Sequence, residues 1–131
     1  MSDYTIINLL DVENKAVEGG STLATRFARG DIQSEHIGLS QIHYAPSKRS
    51  ATGHSHGQQE EVYVVVRGSG RMKVDDDIVE LREWDAVRVP PGAWRGYEAG
   101  PEGLEILVIG APNLGENPRE DVRGQRDWWA G

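Results

Sequence analysis

Short apolar runs separated by turn-forming residues constrain the fold of this chain more than any other feature of its sequence. No stretch carries apolar residues at helical spacing over three turns, whereas residues 22–28 alternate between two faces. The strongest run covers residues 61–67, where three valines follow Tyr63. Many short strands with Gly and Pro between them predict an all-β protein, built as two packed antiparallel sheets or a barrel with an interior mouth.

Further strands are expected at residues 5–10, 36–44, 86–89 and 104–109. Residues 71–74 and 78–81 flank an acidic turn at 75–77 and predict a hairpin. We expect four side chains of this hairpin to face inward, namely Met72, Val74, Val79 and Leu81. The acidic turn lacks the ligand pattern of a calcium loop and is interpreted as structural.

The residues after Ala111 are rich in proline, glycine and charge, so we expect them to wrap irregularly around the outside with one short helical turn. Trp128 and Trp129 interrupt this polar stretch. Because two exposed indoles would form an adhesive patch, we expect them to pack against the sheet or against a second subunit.

The length, cysteine content and net charge of the chain exclude several classes of protein. The chain has 131 residues and no cysteine, which predicts one domain over residues 1–131, without disulfides or thiolate metal sites. A net charge of -7 opposes binding to nucleic acid or to an anionic membrane. No apolar run approaches the length that spans a bilayer, and no leader is evident, so we expect a soluble cytoplasmic protein.

A pair of histidines precedes the strongest strand. His54 and His56 are separated by one residue, so on extended backbone both imidazoles project from the same face. Glu61 follows at the start of the valine-rich run and supplies a carboxylate. Two imidazoles and one carboxylate are ligands for a divalent transition metal, here Zn, Fe, Mn or Ni. His54, His56 and Glu61 are therefore the predicted metal ligands.

These residues also match a family motif. Four residues separate His56 from Glu61 and six separate Glu61 from Gly68, which resembles the first motif of the cupin family. The glycine that opens that motif is absent, since Lys48 occupies its position. The resemblance covers about residues 35–110 and implies a cupin jelly-roll β-barrel, with an N-terminal strand before it and a wrapping segment after it.

The second cupin motif is only partly present. Pro90 and Gly92 match it, whereas Trp84, Arg95 and Ala99 replace its glycine, histidine and asparagine. Arg95 stands where the resemblance implies a fourth metal ligand, and guanidinium cannot coordinate a cation. Either Arg95 turns away from the site or it points in and pairs with an anionic ligand. Three protein ligands still leave open positions on iron(II).

Several other side chains are candidates for the site. Tyr63 shares a face with Glu61, so its phenol could bind a ligand or fill the interior. Arg95 and Tyr63 are the predicted substrate-binding residues. His43 could replace the missing fourth ligand, although such a histidine is more often a hydrogen-bonded core or rim residue. Trp84 and Trp94 flank the second motif and could form aromatic walls or fill core or interface.

Two functional hypotheses remain open at this stage. The first is a metal-dependent enzyme that acts on a small anionic molecule, and the resemblance implies a dioxygenase, isomerase, decarboxylase or lyase. The alternative is a binding or sensory module that captures a small metabolite, with the metal absent or structural. The family resemblance also implies a homodimer.

Overall fold

The computed structural model describes residues 2–50, 52–112 and 118–130. The chain folds into a curled eight-stranded sheet, which confirms the all-β prediction. Its strands are β1 (Thr22–Phe27), β2 (Gly38–Tyr44), β3 (Thr52–His56), β4 (Glu60–Val74), β5 (Asp77–Leu81), β6 (Ala86–Val89), β7 (Arg95–Ala111) and β8 (Val122–Arg126). A short helix α1 (Arg29–Ile32) follows β1, and 3-10 turns span Leu9–Asp11, Pro118–Asp121 and Trp128–Ala130.

The two longest strands, β4 and β7, are the framework of the sheet. They form one long antiparallel pairing, from Glu60 opposite Ala111 at one end to Val74 opposite Arg95 at the other. The register shifts around Gly68, which has a φ of 85°. A Cβ atom on Gly68 would lie 2.1 Å from the carbonyl oxygen of Gly103, so only glycine fits this bend. The bend folds the paired strands over onto themselves.

The core lies inside this fold and consists of alternate side chains of the paired strands. Its members are Tyr44, Tyr63, Val65, Met72, Leu81, Val89, Tyr97, Ala99, Leu104, Ile106 and Val108. Each large apolar side chain buried here contributes roughly 1.5–3 kcal/mol to folding. The aromatic members form a chain of ring contacts, with Tyr97 lying 5.5 Å from Tyr44 and 5.2 Å from Tyr63 between centroids.

The hairpin expected around residues 75–77 is present as β4 and β5, with Val74 opposite Asp77. Met72 and Leu81 are buried and Val74 packs against the core, as predicted. The inward orientation expected for Val79 is wrong, because that side chain is 38% exposed. Among the strands that the structure describes, β5 pairs with β4 alone, so the sheet offers little to cover its outer half.

The strand expected at residues 5–10 is also wrong. Leu9–Asp11 forms a 3-10 turn, which begins where the side chain of Asn8 accepts a hydrogen bond from the backbone N–H of Leu10 at 2.9 Å. Tyr4 and Ile6 are 78% and 85% exposed. An apolar run becomes a strand only where a neighbouring strand takes up its backbone hydrogen bonds.

The homodimer expected from the resemblance stays a prediction.

Residues 118–130, here called the closing segment, are more regular than their composition suggests. The irregular wrap was expected for the whole stretch after Ala111, of which residues 113–117 lie outside the described part. Strand β8 pairs with β3 along its length, so that Val122 lies opposite His56 and Gly124 opposite His54. The segment therefore adds a strand directly beside the histidine pair.

Trp128 anchors the closing segment to the sheet. A Cβ atom on Gly53 or on Gly96 would lie 2.6 or 2.7 Å from its indole, so these two glycines form a slot for the ring. The ammonium group of Lys73 donates to the carbonyl oxygen of Trp128 at 2.7 Å. The neighbouring Trp129 donates its indole N–H to the carbonyl oxygen of Ser50 at 3.1 Å. The expectation that these tryptophans pack against the sheet is confirmed.

Within the described residues, no helix is both long enough and apolar enough to cross a membrane.

Replacing Trp128 with Ala is expected to lower the free energy of unfolding by about 3–5 kcal/mol, because it empties the slot between β3 and β7. Chemical denaturation followed by circular dichroism measures this loss. Trp84→Ala is the matched control, since Trp84 is 74% exposed and its removal should change stability by no more than about 0.5 kcal/mol. Equal effects of the two substitutions would contradict the anchoring role of Trp128.

Candidate metal centre

Strands β3 and β4 bring His54, His56 and Glu61 together. One ligand atom from each lies within 4.8 Å of the others. The Nε2 atoms of His54 and His56 are 3.5 Å and 3.2 Å from Oε1 of Glu61. Ligand atoms about 2.1 Å from one shared ion are roughly 3.0–3.4 Å apart in octahedral or tetrahedral geometry. The predicted triad therefore converges with spacing that fits a metal, while its role as ligand set stays a prediction.

Glu61 is a buried and ionised carboxylate. Burial raises its pKa, but hydrogen bonds with His54, His56 and Tyr63 outweigh burial and hold the pKa of Glu61 well below its ordinary value. The hydroxyl of Tyr63 donates to the same oxygen, Oε1, that faces the two imidazoles. Glu61 consequently carries a full negative charge in the interior at neutral pH.

Arg95 supplies the positive charge that compensates Glu61. Its side chain is completely buried, and Nη2 donates to Oε1 of Glu61 at 2.9 Å. Its Nε donates to the hydroxyl oxygen of Tyr63 at 3.0 Å, and Nη1 donates to the carbonyl oxygen of Ala93 at 2.7 Å. Of the two orientations that the sequence left open, the structure shows a side chain directed at Glu61. Arg95 is not among the described residues that line the cavity, and its role in substrate binding stays a prediction.

Asp121 orients His56 from the closing segment. Its Oδ2 is 3.2 Å from Nδ1 of His56, and the backbone N–H groups of Gln58 and Gln59 donate to the Asp121 carboxylate at 2.7 Å and 3.1 Å. An ionised carboxylate only accepts hydrogen bonds, so Nδ1 of His56 carries the proton and Nε2 turns toward Glu61. The role of Asp121 could not be predicted from the sequence, because no local motif connects Asp121 with His56 and only the pairing of β8 with β3 brings them together.

A cavity of about 450 Å³ opens above the triad. Its polar floor contains His54, His56, Glu61 and Asp121, together with Tyr63. Aromatic and aliphatic side chains form its walls, among them Phe27, Leu39, Ile42, Tyr44, Tyr97 and Val108. Burial raises the pKa of Tyr44, Tyr63 and Tyr97, so their hydroxyls remain protonated donors. A cavity of this size and lining suits a small organic molecule.

Other candidate residues lie away from the triad. Ile42 and Tyr44 of β2 line the cavity, so His43 between them faces the opposite side of the sheet and does not reach the three ligands. Trp84 is 74% exposed, and Trp94 packs on Trp128 with 6.1 Å between ring centroids. Neither tryptophan belongs to the described cavity wall, which uses tyrosines instead.

Known structures share this architecture. A cupin protein from Bacteroides fragilis is 20% identical, with a TM-score of 0.71 over 88% of this chain and 90% of that one. Pac13 from Streptomyces, a nucleoside dehydratase, is 16% identical, with a TM-score of 0.73 over 97% and 92%. A putative sugar phosphate isomerase from Acidithiobacillus ferrooxidans is 27% identical, with a TM-score of 0.61 over 69% of this chain and 59% of that one.

Comparison with curated proteins gives no match. The model of the Cupin domain, by contrast, matches residues 40–110, which is more than half of the chain. This range contains the histidine pair, Glu61 and the bend at Gly68. The sequence match agrees with the curled sheet and its structural relatives, and the protein therefore belongs to the cupin family.

Proposed function

We propose that the protein is a cupin enzyme that acts on a small metabolite, with a divalent transition metal held by His54, His56 and Glu61. The observation that carries this proposal is the position of His56 between two carboxylates. Asp121 accepts a hydrogen bond from the Nδ1–H group of His56, and ionised Glu61 lies 3.2 Å from Nε2. A bare lone pair on Nε2 and a carboxylate repel each other at this distance, so either a metal ion or a proton must lie between them. A metal on both atoms meets that requirement.

The charges around the triad also suit a divalent ion. Glu61 and Asp121 are two buried carboxylates, and within the described part of the chain Arg95, which pairs with Glu61, is the one guanidinium bound to either. With neutral imidazoles the cluster therefore keeps an excess of negative charge. Nitrogen and oxygen donors of this kind suit Zn, Fe, Mn or Ni, and three protein ligands leave positions open for a substrate oxygen.

The side chains around the triad are arranged for acid–base chemistry. When bound, a divalent metal would supply Lewis-acid polarisation of a substrate oxygen. Asp121 holds the ring of His56 in one orientation, and Glu61 accepts the hydroxyl proton of Tyr63 in a hydrogen bond. Tyr63 thus borders the cavity beside the carboxylate of Glu61, and a proton can move through this carboxylate. Apolar walls exclude bulk water from these groups.

Among the cupin reaction classes, we propose an isomerase or a lyase. The groups at the cavity floor are proton donors and acceptors, which such reactions require. Two structural relatives support this choice, since one is a nucleoside dehydratase and the other a putative sugar phosphate isomerase. The substrate would enter with its reacting oxygen toward the triad and its apolar part against the tyrosines.

A metal-free binding cupin is the second candidate function. It is favoured by Arg95, whose Nη2 already donates to the Glu61 oxygen nearest both histidines. In that case a proton on Nε2 of His56 replaces the metal between His56 and Glu61. The cavity would then capture its ligand through the aromatic walls, without catalysis.

Protein purified without a histidine tag is expected to contain or take up about one divalent ion per chain. His54→Ala combined with His56→Ala should abolish this binding and leave the β-type circular dichroism unchanged, because the core is formed without the ion. Elemental analysis by mass spectrometry measures the metal. His43→Ala, on the opposite face of β2, is the matched control and should retain it. Wild-type protein that rejects added metal at neutral pH would exclude the metal-dependent function.

Arg95→Met is expected to lower the unfolding free energy of metal-free protein by about 3–5 kcal/mol, because Glu61 loses its buried counter-charge. Saturating zinc should raise the melting temperature of this variant more than that of wild type, since the ion restores the missing positive charge. Arg88→Met is the control, because the pair of Arg88 with Glu60 is exposed and contributes at most about 1 kcal/mol. If zinc raised the melting temperatures of wild type and Arg95→Met equally, this would argue against Glu61 being shared by Arg95 and the metal.

Asp121→Asn is expected to weaken metal binding by about 10–100-fold. The amide group of the new side chain can donate to Nδ1 of His56, which moves the imidazole proton to Nε2 and blocks the metal position. Competition with a coloured chelator measures the affinity, and nitrogen NMR shifts of the ring report the tautomer. Asp76→Asn, in the exposed hairpin turn, should change neither quantity. If Asp121→Asn bound the metal with wild-type affinity, Asp121 would have no role in the metal site.

A further inference from the structure

One basic residue, Arg29, is among the residues that line the cavity. Arg29 is the first residue of α1, which follows β1 where the backbone N–H of Ala28 donates to the carbonyl oxygen of Leu39 at 2.8 Å. It is the one lysine or arginine in the described cavity lining, and it is partly buried. No hydrogen-bond or ion-pair partner for its guanidinium occurs within residues 2–50, 52–112 and 118–130.

The side chain of Gln59 lines the same cavity at the same end of β2. Gly38 at the start of β2 pairs with Gly110 of β7, and a Cβ atom on Gly110 would lie 2.8 Å from Cδ of Gln59. The missing side chain at Gly110 therefore leaves room for the carboxamide. The backbone N–H of Gln59 is held by Asp121 at 3.1 Å, but its carboxamide has no hydrogen-bond partner among the described residues.

Other arginines that are buried or partly buried in the fold have hydrogen-bond or ion-pair partners, which Arg29 lacks among the described residues. Arg26 donates to the carbonyl oxygen of Val12 and to Gln41, and Arg71 pairs with Glu98. Arg95 is surrounded by Glu61, Tyr63 and a carbonyl oxygen. A guanidinium that is partly removed from water and beside apolar walls is costly unless an anion accepts its hydrogen bonds. The cavity beside Arg29 provides space for such an anion.

We infer that Arg29 and Gln59 bind the carboxylate of a ligand whose apolar body fills the cavity. Guanidinium and carboxamide both donate N–H groups in a plane, which suits the two oxygens of a carboxylate. A single positive charge balances one negative charge, so a monoanion fits better than a phosphate dianion. This assigns anion recognition to Arg29 rather than to Arg95. The inference rests on the proposed function only in taking this cavity as the ligand site, and it does not need the metal.

The test compares two probes of equal shape and different charge, phenylbutanoate and phenylbutanamide. Isothermal titration calorimetry measures the dissociation constant of each with protein as purified and with zinc-loaded protein. Wild type should bind the carboxylate about tenfold more tightly than the amide. Arg29→Gln should reduce this preference to less than about twofold and leave the affinity for the amide unchanged.

Arg82→Gln is the matched control, because it removes the same charge from an exposed position outside the described cavity lining. It should retain the full preference for the carboxylate. Gln59→Leu should lower that preference by a smaller factor than Arg29→Gln, since it removes a neutral donor. Circular dichroism checks that each variant is folded.

Two results would overturn the inference. One is equal binding of both probes by wild type, and the other is an unchanged carboxylate preference in Arg29→Gln. The variant that carries both His54→Ala and His56→Ala separates this inference from the proposed metal. If it loses metal but keeps the charge preference, Arg29 recognises the anion independently. If its preference disappears while Arg29→Gln keeps it, the metal binds the carboxylate and the role of Arg29 is excluded.

Discussion

The buried ion pair between Arg95 and Glu61 joins two ends of a folded hairpin, and the rest of the site depends on it. Arg95 lies opposite Val74 at one end of the β4–β7 ladder, whereas Glu61 lies opposite Gly110 at the other. A flat strand from residue 61 to residue 74 would span about 40 Å. The 2.9 Å contact between the two charges therefore exists only because the paired strands bend at Gly68 and enclose an interior.

The closing segment completes this interior from the outside. It contributes Asp121 to the orientation of His56, pairs β8 with the histidine-bearing β3, and inserts Trp128 between Gly53 and Gly96. Strand β3 therefore both anchors the closing segment and carries two of the three residues of the triad. The cavity consequently has a polar end, formed by the triad and Asp121, and an apolar end, formed by the aromatic and aliphatic walls.

Much of the fold could be predicted from local pattern. Alternation and turn residues predicted β1, β2, β6 and the β4–β5 hairpin, because backbone geometry and side-chain alternation act over a few residues. Local sequence pattern gave the wrong prediction where an adjacent strand determines whether a segment becomes a strand. Residues 5–10 are apolar but have no strand beside them in the described chain, whereas the charged β8 becomes a strand because β3 supplies its hydrogen bonds. Val79 is exposed for a similar reason, since β5 has β4 as its sole neighbour among the described strands.

The sequence by itself determined the convergence of His54, His56 and Glu61, because their separations along two connected strands place them on one face. It also placed Tyr63 beside Glu61 by the same alternation. Only the tertiary structure decided that Arg95 turns to Glu61, that Asp121 orients His56, and that Arg29 lines the cavity. Each of these depends on strands or turns distant in sequence. Their contacts follow from how the sheet closes, and spacing along the chain does not encode that closure.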